Sequence, residues 1–499
     1  ATGGLWAGAS GSPVFFRSGG RDKLAGAIAY GLAGGGSTLA GLTPAEDMAA
    51  LLDLGGSEPA AASVVEVPRR LAARMASAAG LSITQTASLS RLKTPLSVSG
   101  LTDRGLRRMQ AAIDRQGLPF IPFLGSSASS NTPSPPGRLR AGDSFAAAMS
   151  LGDVTAAGIG TTTFVCDGRA VAFGHPFNWT GDTTMAVRAA DTITIVKDSI
   201  FGSYKLANVA ENLGTLTQDR LAGIVAELGD GPVGSPVTST VTDLDTGRTR
   251  SGRSEAIFPE FLPFLAFSHL FQNVDVTIDR IGPGNAEMAY SIRGTRDGGA
   301  TWELTRSSHY ASSFDISFDT VIDPAFTAEM LQAFEAEDIQ VTSIDVPKLD
   351  IEKVFEQYDV RGLLVWNGSR YVKRNFVAAR PGRTIRLRAL LKPVHTTGTK
   401  AVDLSLRVPA NARRSGYIEV VGGGSISAEV PCFIFEDECV EETGQTFDQL
   451  LKAFEDQPRG DALIARLRLG DGERVRATAQ QQQDAVVVGR RAIGFLLIR

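Results

Sequence analysis

The sequence predicts a mainly β protein with a minority of helix, an α+β content overall. Three observations carry that expectation. Glycine occurs 54 times in 499 residues, so turn-forming positions are plentiful, while runs with apolar residues at helical spacing are few. Segments that alternate apolar and polar residues recur, among them "SPVTSTVTDL", "TIRLRALL" and "AVDLSLRV". Finally, "GTTTFV" and "AVAFGH" flank "CDGR", whose Asp-Gly pair suits a two-residue hairpin turn because its central positions need positive φ.

Taken in order, "PVFFR" and "KLAGAIAYG" read as a hairpin over residues 13–31, turning at "SGGRD". "STLAGL" is a further short strand. "TPAEDMAALL" starts a helix with Thr43 as N-cap, Pro44 at the first position and Glu46 closing a capping box. Residues 64–124 form a small α+β unit. Its helices are "PRRLAARMASAAG" and "TDRGLRRMQAAIDRQG", the second lining Leu106, Met109 and Ile113 on one face. Residues 125–137, "GSSASSNTPSPPG", are a polar, proline-rich linker.

Strand signals return from 138 to 325 in "DTITIVK", "VDVTIDRI" and "MAYSIRG", with a helix at 326–337. Residues 345–440 alternate with period two as the strands of a β-sandwich do. The tail, 441–499, combines a helix at "TFDQLLKAFEDQ", a polar "AQQQQD" loop and two last strands in a small α/β arrangement.

Composition narrows the function. The chain is 43% hydrophobic and 21% charged, which is ordinary for a globular protein of roughly two to four domains. Its formal net charge is −4, and no basic block stands out, so a nucleic-acid partner has no electrostatic support. No apolar run is long enough to span a bilayer. Cys432 and Cys439, with six residues between them, are spaced for a local disulfide, which favours an oxidising compartment. Cys166 is left as an unpaired packing residue. Neither metal nor cofactor is expected. The cysteines lack histidine neighbours, no acidic cluster has calcium-loop spacing, and "GPGNAE" has no strand–helix unit around it.

Chemistry concentrates in "WAGASGSPVFF". Gly8-Ala9-Ser10-Gly11-Ser12-Pro13 has the form G-x-S-G-x-P. Glycine at position 8 lets the chain turn so that the N–H groups of Gly8 and Ser10 converge where a carbonyl oxygen gains charge during attack. Such donors are worth roughly 2.7–4 kcal/mol each. The bland alternative is a turn of small residues, and Ser12 lacks the preceding glycine. A serine nucleophile needs a base, and the chain has four histidines. His395 lies in the loop "KPVHTTG", His269 sits among apolar residues in "FSHLFQ", and His309 is flanked by serines. His175 follows the strand "AVAF" in "FGHPF", where Gly174 and Pro176 force a turn that fixes the imidazole. Lys197 and Lys205 are the candidates for a Ser–Lys dyad, and Asp219 with Arg220 reads as a buried pair bracing the fold.

"TGGLWAGASGSPVFF…KLAGAIAYG" and "GIGTTTFVCDGRAVAFGHPF" resemble the stage IV sporulation protein B (SpoIVB-type) serine peptidases, most closely their large secreted or envelope relatives. That family carries G-M-S-G-S-P-V and later G-T-V-T-x-x-x-G-x-x-x-A-F-G-H-P-F. "SYKLANVAENLGTLTQDRLAGIVAELG" and "TFDQLLKAF…VVVG" are similar too, so the resemblance covers most of the chain and is weakest at 64–124. It implies a chymotrypsin-like double β-barrel peptidase domain built from 1–55 and 138–325, with 64–124 inserted.

The same resemblance implies Ser10 as nucleophile and His175 as general base of a serine endopeptidase. The enzyme would act on proteins or peptides outside the cytoplasm, secreted or in the cell envelope. Leu39, Ala40 and Gly41 would line the substrate groove as an edge strand. Two departures matter. Ala9 stands for the family's methionine, a change that leaves the backbone donors intact. The family's acid lies upstream of the serine, so none can be matched, leaving Asp182 as nearest candidate with Asp167 behind it. The expectation is a longer precursor trimmed at Ala1 by self-cleavage, with its own N-terminal fragment as a further partner. The rival expectation is a catalytically impaired scaffold or binding protein of the envelope.

Overall fold

The structure, a computed structural model, describes residues 4–32, 39–53, 64–127, 139–198, 202–427, 446–470 and 475–498. It is mainly β, in two compact units: Ala1–Val237 with Arg253–Gln272, and Thr238–Gly252 with Asn273–Arg499.

In the first unit, β1 (Pro13–Ser18) and β2 (Arg21–Leu32) form the hairpin expected at 13–31, turning at Gly19 and Gly20, both at positive φ. β3 (Ala40–Pro44) pairs with β2 and runs into α1 (Ala45–Ala50). Thr43 does not cap that helix. Pro44 occupies the cap position, and the buried Thr43 hydroxyl donates to the carbonyl of Gly174. β4 (Val64–Glu66), α2 (Arg69–Ala79), β5 (Ser88–Arg91), β6 (Thr94–Ser99), α3 (Asp103–Arg115) and β7 (Phe120–Leu124) follow. Thr102 caps α3 by accepting from Gly105 N–H, and Met109 and Ile113 face inward as their spacing predicts.

Residues 64–124 are not a separate insertion. β5 pairs with β2, so β1, β2, β5 and β4 form one sheet with β3 attached, and β6 pairs with β9 of the next sheet. The linker's first residues also pack: Ser126 accepts from Val209 N–H at 2.9 Å. Residues 128–137 of it lie outside the described residues.

Six antiparallel strands then close on themselves. They are β8 (Ser144–Gly152), β9 (Thr155–Cys166), β10 (Arg169–Ala172), β11 (Gly181–Val196), β12 (Tyr204–Arg220) and β13 (Gly223–Leu228). Pairing runs β8-β9-β10-β13-β12-β11 and back to β8. The Asp167-Gly168 turn joins β9 to β10 with both residues at positive φ, as the hairpin signal requires. Closure leaves no exposed sheet edge in this ring. Its wall is lined by small residues, among them Ala146, Ala148, Ala157, Ala186 and Ala207, packed on Ile159, Val209 and Phe123.

β14 (Ser235–Asp243) and β15 (Arg248–Ala256) straddle the division between units, as does α4 (Leu262–Ile278). "VDVTI", expected as a strand, ends this 17-residue helix. Leu262, Leu265, Ala266, Leu270 and Val274 are all buried, and a helix apolar on most sides has no stripe to betray its period.

In the second unit, β16 (Gly284–Arg296) pairs antiparallel with β17 (Ala300–Ser312) and, beyond α5 (Ile316–Gln332), with β18 (Gln340–Glu352). α5 begins ten residues before the helix expected at 326. A two-sheet sandwich follows from β19 (Gln357–Trp366), β20 (Tyr371–Lys373), β21 (Phe376–Ala379), β22 (Thr384–Pro393), β23 (Lys400–Arg407) and β24 (Gly416–Gly422). After α6 (Gly423–Ser427) and α7 (Phe447–Glu455) it gains β25 (Ala462–Leu469), β26 (Val475–Gln482), β27 (Val486–Val488) and β28 (Arg490–Leu497). One sheet contains β19, β20, β22, β23 and β27, the other β21, β24, β25, β26 and β28. They share a core in which Leu387 and Leu404 meet Ile418, Leu463 and Phe495. The tail is therefore part of the sandwich, and the glutamines expected in a loop lie mostly on β26. Cys432 and Cys439 lie outside the described residues.

Candidate active site

The Ser10 loop is anchored from several directions. Ala7 N–H donates to Ser203 (2.8 Å) while Ala7 O accepts from Lys205 N–H (2.9 Å). Ala9 N–H donates to Trp6, Gly11 N–H to Ile28 and Ser12 N–H to Ala9. Within residues 7–12, the N–H groups of Gly8 and Ser10 find no acceptor among the described residues. Each belongs to a peptide whose carbonyl is pinned, Ala7 O by Lys205 and Ala9 O by Ser12. A trans peptide points N–H opposite its C=O, so both free donors are held in fixed directions. Gly11, at φ +89°, cannot be replaced. A Cβ there would fall 1.9 Å from Thr161 O and 2.5 Å from Phe173 N.

The "FGHPF" turn is seated just as firmly. Phe173 and Gly174 are both left-handed, φ 69° each, which reverses the chain after β10. On β9, a Cβ at Gly160 would lie 2.1 Å from the Phe173 ring, and one at Gly158 would lie 2.2 Å from the Phe177 ring. Glycines two apart on a strand share a face, so these two leave berths for the rings on either side of His175. The rings stack edge-on against each other at 6.0 Å, and Phe173 also against Phe145.

His175 is fully buried. Its Nδ1 lies 2.7 Å from Pro176 O. A carbonyl only accepts, so Nδ1 carries the proton and Nε2 the lone pair. Burial pushes the imidazole pKa down to about 4, the Pro176 hydrogen bond opposes this, and the Arg91 cation adds to it. The ring is therefore neutral at neutral pH, and Nε2 has no hydrogen-bond partner among the described residues. The Ser10 hydroxyl is also buried and, among the described residues, without a partner.

The two segments meet through shared backbone. Ser10 O accepts from Thr161 N–H at 2.9 Å, and Thr161 O accepts from Phe173 N–H at 3.2 Å. Ile28 O accepts from Gly11 N–H and lies 3.5 Å from where a Gly174 Cβ would stand. Ser10 and His175 do not hydrogen-bond each other in this structure.

The acid expected at 182 is elsewhere. Asp182 is solvent-exposed and salt-bridged to Arg220 at 2.7 Å, while the partner of His175 Nδ1 is a carbonyl. Sequence reasoning missed the role of Asp219. Buried completely, it accepts from the N–H groups of Phe177, Asn178 and Trp179 at 2.6–2.7 Å. Burial raises its carboxyl pKa and these backbone donors pull it back. Asp219 thus clamps the loop beyond His175 and does not pair with Arg220. Arg91, also missed, reaches Pro176 O at 3.4 Å. The available signal was a pair of glycines spaced to face one side of β9, matched by two phenylalanines four apart.

Asp167 sits in the hairpin turn, and the exposed, free Cys166 donates to it. Lys205 is buried against the Ser10 loop, whereas no hydrogen bond joins its amine to Ser10. Of the residues expected to line a substrate groove, Ala40 and Gly41 open β3 and Leu39 immediately precedes it. That strand's far end, Leu42–Pro44, lines a cleft of about 560 Å³ with Tyr30, Leu51, Trp179 and Arg220. No group of side chains among the described residues is arranged to hold a metal ion, and no described helix is long and apolar enough to cross a membrane. No family model, curated protein or solved structure matches this chain.

Proposed function

We propose that the chain is a serine peptidase with Ser10 as nucleophile and His175 as general base, set in a chymotrypsin-like barrel fold and acting outside the cytoplasm. One observation carries this reading: two buried, unpartnered polar atoms, Ser10 Oγ and His175 Nε2, belong to turns locked to the same residue, Thr161. Buried polar groups are nearly always paired, so two orphans on adjoining segments point to a reaction partner. In the reaction, Ser10 Oγ attacks the scissile carbonyl carbon while His175 Nε2 takes the hydroxyl proton. Gly8 and Ser10 N–H groups hold the oxyanion. The imidazolium then returns the proton to the leaving amine, and water hydrolyses the acyl-serine by the same route. Catalytic hydrogen bonds are often long in the free enzyme and tighten with substrate.

The Nδ1–H bond to Pro176 supplies the tautomer that a triad acid would otherwise impose, and the carbonyl gives weaker support to the imidazolium. A slow or self-processing peptidase accords with this. The full burial of Ser10 and His175 favours the rival reading, a peptidase-like scaffold of the envelope. A fluorophosphonate probe separates them. Labelling of the full chain that disappears in Ser10→Ala supports the peptidase. A folded wild-type protein that stays unlabelled overturns it in favour of the scaffold.

A further inference from the structure

We propose that Lys205 is the positioning residue of the oxyanion site, a buried cation whose counter-charge is the negative oxygen formed during attack on Ser10's substrate. The inference rests on the peptidase reading and adds to it a residue on β12, 195 positions from the serine. Lys205 is 7% exposed, and no carboxylate among the described residues pairs with it. Its amine donates to Thr161 Oγ1 (2.9 Å), Gly160 O (3.1 Å) and Ser144 Oγ (3.3 Å). All three donors are used, and all on neutral acceptors.

A buried, uncompensated charge is costly to a fold. Its position shows what it serves. Thr161 Oγ1, which accepts from the amine, donates in turn to Gly8 O at 3.0 Å. The backbone N–H of Lys205 itself holds Ala7 O, orienting the free Gly8 N–H. The Lys205 Cβ lies 2.9 Å from where a Gly8 Cβ would stand, so the residue lies directly against the loop. The backbone end of Lys205 therefore fixes one peptide of the candidate oxyanion site, Ala7–Gly8, and its amine, through Thr161, fixes the Gly8–Ala9 peptide that separates the two donors. Charge placed beside a developing oxyanion in a dry setting is stabilising in the transition state and unrewarded before it.

The groups around the amine are those of Ser144 on β8, Gly160 and Thr161 on β9, and the 7–10 loop, none of which titrates. Burial alone lowers the amine pKa to about 8, with no charged neighbour contributing. The cation is thus present below about pH 8 and lost above it.

The test is the pH dependence of fluorophosphonate labelling of the full chain. Wild-type labelling is expected to fall as pH rises through 8. Lys205→Met should label roughly ten- to hundredfold more slowly at pH 7 and lose that alkaline fall, which a purely structural role would not remove. Lys205→Arg should keep its rate past pH 8, because the guanidinium stays charged. Thr161→Val, which keeps the cation and breaks the relay to Gly8, should be slowed less. If wild-type protein labels and Lys205→Met labels equally fast with the same profile, the inference is overturned while the peptidase reading stands. Should Lys205→Met fail to fold, an alkaline fall that Lys205→Arg leaves in place overturns it equally. A wild-type protein that never labels sinks both.

Discussion

The first unit contains two serine–histidine pairs, and they differ in an instructive way. Ser254 on β15 and His269 on α4 are 2.9 Å apart, Oγ to Nδ1, and the same hydroxyl accepts from Val154 N–H at 3.0 Å. Both are buried, and the pair ties strand to helix. Ser10 and His175 are equally buried but leave Oγ and Nε2 unused. A short Ser–His hydrogen bond is therefore no sign of catalysis by itself. In the first pair the serine hydroxyl and the histidine Nδ1 both have structural partners. In the second, the histidine Nδ1 is oriented by a carbonyl, and Nε2 has no partner among the described residues.

The largest expected effect follows directly. Ser10→Ala should abolish fluorophosphonate labelling and leave the melting temperature nearly unchanged, since its hydroxyl bonds to none of the described residues. Ser254→Ala should do the reverse. It strands Val154 N–H and breaks the tie from β15 to His269, costing about 1–3 kcal/mol with labelling intact. Equal behaviour of the two variants in both assays would erase the distinction.

Protonation sharpens the same contrast. His175 has a folded pKa of about 4 against about 6.5 in an unfolded chain. The folded state binds fewer protons, so the stabilisation is complete above pH 6.5 and is lost as pH falls from 6.5 to 4, by roughly 3 kcal/mol in all. Urea titrations at pH 4.5 and 7 should show this slope, and His175→Phe should flatten it. Labelling should likewise persist to well below pH 6, where an ordinary histidine would already be protonated.

Hairpins, sandwich strands and amphipathic helices were legible in the sequence because each leaves a local period or a turn dipeptide. So were Gly8, Ser10 and His175 as candidates, since small residues around a polar one have few other uses. What stayed hidden depends on segments far apart in the chain. Nothing near residue 94 announces that β6 joins β9, and α4 has no polar face to define its period. Thr43 satisfied a capping pattern, yet the carbonyl of Gly174, 131 residues away, took its hydroxyl. Asp219 lies 42 residues from the loop it clamps. The berths for Phe173 and Phe177 can be checked at one of them. Gly160→Ala places a methyl against the Phe173 ring and should cost about 1–3 kcal/mol, read by denaturation. Labelling should fall with it, because the ring's neighbour is His175.

The smallest effect belongs to the aspartate that sequence proximity favoured. Asp182 is 88% exposed in its side chain and pairs with Arg220, and exposed ion pairs contribute little because water and salt screen them. Asp182→Asn should change stability by no more than about 0.5 kcal/mol and leave labelling as it is. Asp219→Asn keeps the shape but gives up the charge on which three backbone donors converge, and replaces one acceptor oxygen with an NH₂ that faces those donors. It should destabilise by about 1–3 kcal/mol and slow labelling by disordering the loop past His175. A large labelling loss in Asp182→Asn, with Asp219→Asn unaffected, would hand the acid's role back to the exposed residue. It would also mean that the turn carrying His175 reorganises in solution to bring position 182 inward.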